Sequence, residues 1–253
     1  MTAIPSPREK LRVLLTGAAG RIGQAMLKPM QELYELRTFD RASVPGDPGA
    51  VIGNLADRAA LAKAMERIEV VLHLAANPHY WAQFDELLES NIIGAANLLE
   101  EACAAKVRRV VFASSIHAVY GYPPEHTVTA ADLPRPKNLY GVSKVFGEAL
   151  GRCYHDQRGL EFIALRIGHF AEYDAKRMKR PGEHRRIWLS PGDALRLFRC
   201  AIEKAGVGYA VVGATSRTEF EYLSLTPAKE LLGYEPRDEA GPVGDSPPSC
   251  RAS

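Results

Sequence analysis

The stretch LRVLLTGAAGRIG, residues 11–23, indicates the fold of this chain. Its first six residues are almost all apolar, which is typical of a strand buried in a parallel sheet. Gly17, Gly20 and Gly23 follow directly, and an amphipathic segment then continues to about Leu33. A strand, a glycine-rich turn and a helix in this order are typical of a site that binds the phosphates of a dinucleotide.

The three glycines have separate uses in such a turn. Gly17 permits a tight turn, Gly20 lets a pyrophosphate approach the backbone, and Gly23 lets the helix pack close to the strand. A glycine triplet with this spacing is weak evidence by itself, and its place directly after the first strand gives it weight. We expect cofactor contacts along the whole turn, at Gly17, Gly20, Arg21, Ile22 and Gly23.

Asp40 follows the second predicted strand, which covers about Tyr34 to Phe39. A carboxylate at this strand end accepts hydrogen bonds from the ribose hydroxyls and repels a 2′-phosphate, so it favours NAD over NADP. Arg37 and Arg41 leave an alternative open, because an arginine in this place can pair with a phosphate. Such charges are also common in a solvated loop.

Further apolar runs alternate with helical patterns along the chain. This alternation predicts an α/β fold, a Rossmann-type doubly wound parallel sheet. One domain over residues 11–240 is expected, with a small substrate-binding part formed mainly by residues 169–190 and 213–240. Residues 1–10 and the Gly-, Pro- and Ser-rich residues 241–253 are expected to be disordered. The predicted strands cover residues 11–16, 34–39, 51–54, 69–74, 109–113, 161–166 and 209–212, and the later helices cover residues 57–68, 89–105, 140–158, 190–204 and 226–233.

Other residues at predicted strand ends are candidates for cofactor contacts. Asn54 and Leu55 follow the third strand and are expected near the adenine. Leu74, Ala75 and Ala76 follow the fourth strand, where small residues let a cofactor lie against the backbone.

Two polar residues near these strand ends have competing interpretations. Asn91, near the start of a predicted helix, is either a cap-like structural residue or part of a polar relay at the cofactor. His73 lies inside an apolar run, and we expect it to be a hydrogen-bonded core residue rather than a ligand.

Tyr140 and Lys144 lie four residues apart in LYGVSK, residues 139–144. In a helix, both side chains lie on one face, one turn apart. A nearby ammonium favours the phenolate and lowers the pKa of a tyrosine from its usual ~10, so that the residue can exchange a proton. Ser114 and Ser115 end the fifth predicted strand, at the edge where an open α/β sheet binds its ligand. The alternative for Tyr140 and Lys144 is that they lie on an ordinary amphipathic helix surface. The alternative for the two serines is that they form a simple turn.

Residues 173–186 are polar and strongly basic. A solvated loop explains such a segment, and so does a lid in which an arginine holds an anionic substrate, because a guanidinium matches a carboxylate in a bidentate geometry. The basic residues are Lys176, Arg177, Lys179, Arg180, Arg185 and Arg186.

Composition excludes several classes of protein. The chain has 253 residues, a net charge of +2, and 46% hydrophobic and 25% charged residues, so neither nucleic acid nor an anionic membrane surface is an expected partner. No apolar run is long enough to span a bilayer or to form a signal peptide. The four cysteines are far apart and form no CxxC motif, so we expect no metal site and a reducing, cytoplasmic location.

Four stretches together resemble the extended short-chain dehydrogenase/reductases, also called the NAD-dependent epimerase/dehydratase family. They are TGAAGRIG, VVFASSIHAVYGYP, LYGVSK and LRIG, and they occur in the order typical of the family. The resemblance covers about residues 11–237 and implies NAD as the cofactor, with Tyr140 as the general base. It also implies that Lys144 lowers the pKa of Tyr140 and holds the ribose, and that Ser115 hydrogen-bonds the reacting oxygen.

Within this family the chain is most similar to the uronate dehydrogenases, which implies oxidation of galacturonate or glucuronate. Two residues depart from that pattern, since Ile116 replaces an asparagine and His169 replaces a serine. Either change can alter substrate preference, because a lost buried hydrogen bond costs ~1–3 kcal/mol. The resemblance implies substrate contacts at Asn77, Ser115, Ile116, His117, His169 and Arg177.

The short C-terminal part favours a small sugar or sugar acid over a nucleotide-linked sugar, and the family resemblance implies a homodimer or a higher homo-oligomer. A sugar epimerase or dehydratase that retains its NAD is the alternative enzyme. A non-catalytic sensor of NAD(P) is the alternative from another class, although such a protein needs no Ser115, Tyr140 and Lys144 together.

Overall fold

The computed structural model describes residues 10–173, 183–218 and 220–240. Its centre is a seven-stranded sheet in the order β3-β2-β1-β4-β5-β6-β9, in which every neighbouring pair is parallel. A separate two-stranded parallel sheet pairs β7 with β8. The strands are β1 (Arg12–Thr16), β2 (Glu35–Asp40), β3 (Val51–Ile52), β4 (Val70–His73), β5 (Arg109–Ser115), β6 (Glu161–Ile167), β7 (His169–Phe170), β8 (Trp188–Leu189) and β9 (Tyr209–Ala214).

Helices cover both faces of the sheet. They are α1 (Arg21–Leu33), α2 (Arg58–Ala64), α3 (Phe84–Leu87), α4 (Gly94–Ala104), α5 (Leu139–Arg158), α6 (Glu183–Arg186) and α7 (Pro191–Glu203). A π-helical turn, Leu88–Ile93, joins α3 to α4, and a second one covers Ala228–Leu232. Among the residues that the structure describes, no helix has both the length and the apolar character needed to cross a membrane.

The alternation of β1 shows why this sequence forms a two-sided sheet. Val13 and Leu15 pack on one face with residues of α1 and α7, whereas Leu14 packs on the other face with residues of α2 and α4. All three side chains are fully buried. Burial of one such side chain is worth ~1.5–3 kcal/mol, so the apolar run at the start of the chain fixes β1 in the middle of the sheet.

Local signals set several helix ends as predicted. The Ser190 side chain accepts a hydrogen bond from the Asp193 backbone N–H at 2.9 Å, and Pro191 begins α7. Gly159 ends α5 in the left-handed region with φ of 72°. These caps confirm the predicted bounds of two of the helices that flank the sheet.

The α/β class, the parallel sheet and most predicted elements are confirmed, but two local predictions are wrong and one small sheet was missed. The helix predicted from Glu89 begins at Phe84 and contains the π-helical turn, and the helix predicted over residues 226–233 is only the short turn Ala228–Leu232. The two-stranded sheet β7–β8 was not predicted, because each of its strands has only two residues. The predicted disordered ends lie outside the described residues, except for Lys10. Its ammonium donates a hydrogen bond to the Glu32 carbonyl at 2.6 Å.

Candidate active site

The predicted site residues meet at one edge of the sheet. Because β1, β2, β4 and β5 are parallel, their carboxyl ends lie side by side, and each continues into a segment with predicted contacts. Gly17 follows β1, Asp40 ends β2, Leu74 follows β4 and Ser115 ends β5. The topology therefore brings the predicted cofactor turn and the predicted proton-transfer residues to the same edge.

The glycine turn is shaped as a close cradle at the start of α1. Gly17 has φ of +74°, and a Cβ atom placed on it would lie 2.6 Å from the Ala75 backbone nitrogen, so no other residue fits without a shift of the backbone. Gly20 is the N-cap of α1 and provides no side-chain cap for the first backbone N–H groups of the helix. These donors and the helix dipole suit an anion such as a pyrophosphate.

The neighbours of the glycines have different degrees of exposure. Arg21 is exposed, and its guanidinium carbon lies 5.9 Å from the centre of the Phe170 ring in β7. Ile22 is half-buried and Gly23 is buried. Arg21 therefore links the turn to the small sheet on the other side of the site.

Asp40 is held by the backbone on both sides of its strand end. Its Oδ2 accepts a hydrogen bond from the Ala19 backbone N–H at 3.0 Å, and its Oδ1 accepts one from the Ala42 backbone N–H at 3.0 Å. Arg37 is directed elsewhere, because its guanidinium donates to the Ala64 carbonyl at 2.9 Å, at the end of α2. The carboxylate thus faces the glycine turn, and one of the two arginines that suggested a 2′-phosphate is engaged in capping a helix.

The remaining predicted cofactor residues line the same edge. Asn54 is tied to Glu89 by a bond of 2.5 Å from its amide, and Leu55 is buried. Leu74, Ala75 and Ala76 are half-buried in the segment that follows β4. The backbone of Ala75 is the wall that Gly17 approaches.

Tyr140, Ser115 and Lys144 come together as predicted. Tyr140 lies in the first turn of α5, close enough to Ser115 for that side chain to lower its pKa, and Ser115 is buried at the end of β5. Lys144 lies one turn further along α5 and is also buried, with its Nζ 5.5 Å from the centre of the Tyr140 ring and 5.1 Å from that of Phe112. A substrate hydroxyl at Tyr140 and Ser115 would find both a proton acceptor and a hydrogen-bond donor.

The protonation of this group differs from the sequence-based expectation. Burial raises the pKa of Tyr140 to about 12, and the nearby side chain of Ser115 opposes that shift. The net shift is opposite to the expected one, because burial of the phenol outweighs the effects that lower its pKa. Burial also lowers the pKa of Lys144 to about 8, although the carboxylate of Glu148 opposes the loss of its charge.

A buried ionic network lies behind Lys144. The Glu148 carboxylate, one turn beyond Lys144 on α5, accepts a hydrogen bond from the Ser114 hydroxyl at 2.5 Å and two from the Arg166 guanidinium, at 3.0 and 2.8 Å. All of these residues are buried. This network joins α5 to β5 and β6 and places a negative charge near the ammonium of Lys144.

His73 is a satisfied core residue, as expected. It is buried, and its Nδ1 lies 2.7 Å from the Thr16 hydroxyl oxygen in the neighbouring strand. Burial, followed by the charge of Lys144, lowers its pKa to about 3, so the ring is neutral at ordinary pH.

Asn91 occupies the middle of the π-helical turn and ties three segments together. Its Oδ1 accepts a hydrogen bond from the Asn77 backbone N–H at 2.7 Å, and its Nδ2 donates to the Asn77 carbonyl at 3.1 Å and to the Ser143 hydroxyl at 3.0 Å. Ser143 in turn donates to the Tyr140 carbonyl at 2.7 Å. The side chain of Asn77 caps its own loop through the His79 N–H and the Glu86 carbonyl. Both asparagines therefore fix the backbone that surrounds the first turn of α5.

Two of the predicted substrate residues lie beside the side chain of Tyr140 in the described part of the chain. They are Ser115 and His117. The ring centre of His117 lies 5.6 Å from that of Tyr140 at 74°, and Tyr80 stacks on it at 5.5 Å and 9°. Ile116 is buried in an apolar cluster with Val119 and other residues, so its side chain supports the end of β5 from behind.

The other two predicted substrate residues are His169, which precedes the basic segment, and Arg177, which lies within it. His169 begins β7, where its N–H donates to the Ile187 carbonyl at 2.6 Å. Arg177, the proposed anion clamp, lies outside the described residues.

Four residues of the site were not found from the sequence. Asn138 precedes α5, and its Asn-x-x-Gly pattern is a visible N-cap signal. Ser143, Glu148 and Tyr80 carry no such signal, since their partners lie on distant segments of the chain. Their contacts depend on the packing of α5 and of the loop that follows β4.

Comparison with known proteins identifies the family of this chain. The NAD dependent epimerase/dehydratase family matches residues 13–176. An NAD-dependent glucose-6-phosphate dehydrogenase of Haloferax volcanii is 36% identical over 90% of this chain and 94% of its own length. An L-arabinose 1-dehydrogenase (NAD(P)(+)) of the same organism is 38% identical over 92% of this chain and 98% of its own length.

A solved structure gives the same result for the fold. The crystal structure of uronate dehydrogenase from Agrobacterium tumefaciens superimposes with a TM-score of 0.82 at 33% identity, covering 91% of this chain and 85% of the other. With the family match and these relatives, the chain belongs to the NAD dependent epimerase/dehydratase family.

Proposed function

We propose that this protein oxidises a hydroxyl group of a small sugar or sugar acid with NAD, and that Ser115, Tyr140 and Lys144 carry the proton transfer. The observation that carries the proposal is the grouping of Tyr140 with the buried Ser115 and with the buried Lys144, whose Nζ lies 5.5 Å from the centre of the Tyr140 ring. These groups lie at the sheet edge that also holds the glycine turn. The relatives are named as dehydrogenases of sugars and sugar acids, which supports the same class of reaction.

The chain's own residues fit NAD. The Gly17 cradle and the uncapped start of α1 suit the pyrophosphate, and the Asp40 carboxylate at the end of β2 suits the two ribose hydroxyls. When bound, NAD supplies the two-electron acceptor for the oxidation. Residues 54–55 and 74–76 form the remaining proposed walls of the cofactor site.

Tyr140 is the proposed base, and its Oη would receive the proton of the substrate hydroxyl. Ser115 holds the same substrate oxygen and positions it against the phenol. Lys144 favours the phenolate through its positive charge, and Glu148 helps it to keep that charge, which is lost as the pH rises through about 8. Oxidation of the carbon to a carbonyl would thus release one proton, which this chain would receive at Tyr140, and a hydride, for which bound NAD would be the acceptor.

The proposed substrate is a monosaccharide. The relatives differ in whether their sugar carries a carboxylate, a phosphate or no acidic group. The identities to the glucose-6-phosphate and arabinose enzymes, 36% and 38%, are slightly higher than the 33% to a uronate dehydrogenase of Pseudomonas syringae. Ile116 is buried and gives no polar group where an asparagine is expected in the uronate enzymes. Residues 169–190 and 213–240 are the proposed substrate-binding part, with His117, His169 and Arg177 facing the sugar.

A panel of sugars followed by NADH absorbance tests the proposal. Galacturonate, glucuronate, glucose 6-phosphate and L-arabinose are each mixed with the protein and NAD, and net NADH formation is expected with at least one of them. An epimerase that returns its electrons to the sugar would form none, and epimeric sugar in the product mixture would establish that alternative. NAD binding with neither product would favour the sensor.

We also propose that the protein forms a homodimer. The π-helical turn and the first turn of α5 are packed against each other, and each exposes two large aliphatic side chains. They are Leu88 and Ile93 on the turn, and Leu139 and Val142 on the helix, with exposed fractions from 37% to 47%. A second copy of the chain is the proposed cover for these side chains.

A further inference from the structure

We infer that Asn138 is a positioning residue which fixes His117 as a neutral hydrogen-bond donor towards the substrate, while the same side chain caps the helix that carries Tyr140. The inference rests on the proposed function for its consequence, and on the hydrogen bonds of Asn138 for its geometry. It concerns which ring nitrogen of His117 holds the proton.

The orientation of the Asn138 amide is settled by a backbone donor. One end of the amide lies 2.8 Å from the Gly141 backbone nitrogen, at the start of α5. A backbone N–H only donates, so this end of the amide is the oxygen. The other end, which lies 2.9 Å from His117 Nδ1, is then the NH₂ group.

The tautomer of His117 follows from this orientation. Because Nδ2 of Asn138 donates, Nδ1 of His117 accepts and carries no hydrogen. In the neutral ring the hydrogen is therefore on Nε2. No protein partner of Nε2 appears among the contacts of residues 10–173, 183–218 and 220–240, so this N–H is available to a ligand.

The surroundings keep the His117 ring neutral and fixed. Tyr80 stacks on one face, and the rings of Tyr120 and Tyr140 contact it edgewise at 5.4 and 5.6 Å. Two of these rings have an ammonium group beside them, Lys137 Nζ at 5.8 Å from the Tyr120 ring centre and Lys144 Nζ at 5.5 Å from that of Tyr140. No carboxylate contacts the imidazole among the described residues, and burial lowers its pKa.

These facts assign His117 a definite chemical role. A neutral ring with its hydrogen on Nε2 offers one N–H donor, which recognises an oxygen lone pair of the sugar, whether of a hydroxyl, a carboxylate or a phosphate. It does not serve as a second base, since the basic nitrogen Nδ1 is occupied by Asn138. The close packing of α5 on this region reinforces the link, because a Cβ atom on Gly141 would collide with the His117 carbonyl oxygen.

Two substitutions separate the capping role of Asn138 from its effect on the tautomer. Asn138→Ser and Asn138→Asp both retain a good N-cap for α5, so neither is expected to lower the midpoint of thermal unfolding appreciably. Serine removes the donor to Nδ1. Aspartate replaces the donor by an acceptor, which pulls a proton onto Nδ1 and favours the doubly protonated, charged ring.

The decisive readout is the ¹⁵N NMR spectrum of His117, recorded without sugar or NAD. We expect the Nε2–H tautomer in the wild type and a pKa of His117 that is higher by about one unit or more in Asn138→Asp. A His117→Gln variant assigns the signals. An Nδ1–H tautomer in the wild type, or equal His117 pKa values in the wild type and Asn138→Asp, would overturn the inference.

Steady-state rates connect the tautomer to catalysis. With the sugar identified by the panel, Asn138→Asp is expected to lower kcat/KM about tenfold at a pH above the His117 pKa of the variant, because the neutral ring then keeps its hydrogen on Nδ1 and has no N–H at Nε2. The loss should diminish at lower pH, where the doubly protonated ring carries a hydrogen on Nε2 again. A loss that is the same at every pH would also overturn the inference. The NMR result stands apart from the proposed function, because it needs no turnover, whereas failure of the sugar panel would remove the function and leave the tautomer.

Discussion

At the scale of single residues, the proximity of Tyr140 to Lys144 and the pKa of Tyr140 have different causes. The approach of Tyr140 to Lys144 follows from helical spacing alone, and it was predicted from the sequence. The pKa of Tyr140 was not predicted correctly, because it depends on burial of the phenol, which raises it to about 12. Burial results from the packing of α5 against β5, and the pair of residues contains no information about that packing.

Asp40 carries the residue-scale prediction about the cofactor. We expect Asp40→Ala to raise the KM for NAD about tenfold or more and to change the KM for NADP much less, because the lost carboxylate both binds ribose hydroxyls and repels a 2′-phosphate. Initial rates at varied cofactor concentration measure both constants.

A substitution at the opposite end of the same strand controls for general effects. Glu35 begins β2 and is exposed, so Glu35→Ala should leave both constants unchanged. Equal increases in the two KM values for Asp40→Ala would contradict the assigned role of this carboxylate.

At the scale of elements, the sequence was informative wherever the hydrophobic period was regular. The β1 to α1 unit was predicted nearly to the residue, because its apolar run and its glycines are local signals. The π-helical turn Leu88–Ile93 was not predicted, since its residues have an ordinary helical pattern. Its wider turn coincides with Asn91 reaching the Asn77 loop and Ser143, and those partners are distant in the chain.

The same turn carries the prediction about assembly. Light scattering of the wild-type protein should give twice the 27.7 kDa mass of one chain, and Ile93→Glu should give the single-chain mass, because a charge would be buried in the proposed interface. Leu133→Glu is the matched control, since Leu133 is 76% exposed and lies outside the two interface segments. A wild-type protein at the mass of one chain would contradict the proposed homodimer.

At the scale of the whole molecule, parallel strand order converts a scattered set of residues into one site. Gly17, Asp40, Leu74 and Ser115 are far apart in the sequence, and they meet because the carboxyl ends of β1, β2, β4 and β5 share one edge. The fold class was therefore sufficient to predict which segments converge. The hydrogen bonds that tune the site could not be predicted in this way, because Asn138–His117 and Ser114–Glu148 arise only when α5 is packed in place.

The central claim is that Tyr140 performs the proton transfer of an NAD-dependent oxidation. The most direct test compares NADH formation by the wild type and by Tyr140→Phe with the sugar found in the panel, and measures NAD binding to both by calorimetry. Phenylalanine keeps the ring between His117 and Lys144 and removes only the hydroxyl. We expect kcat to fall about 10²- to 10⁴-fold while the Kd for NAD changes less than about twofold; a variant that keeps most of the wild-type rate would contradict the claim.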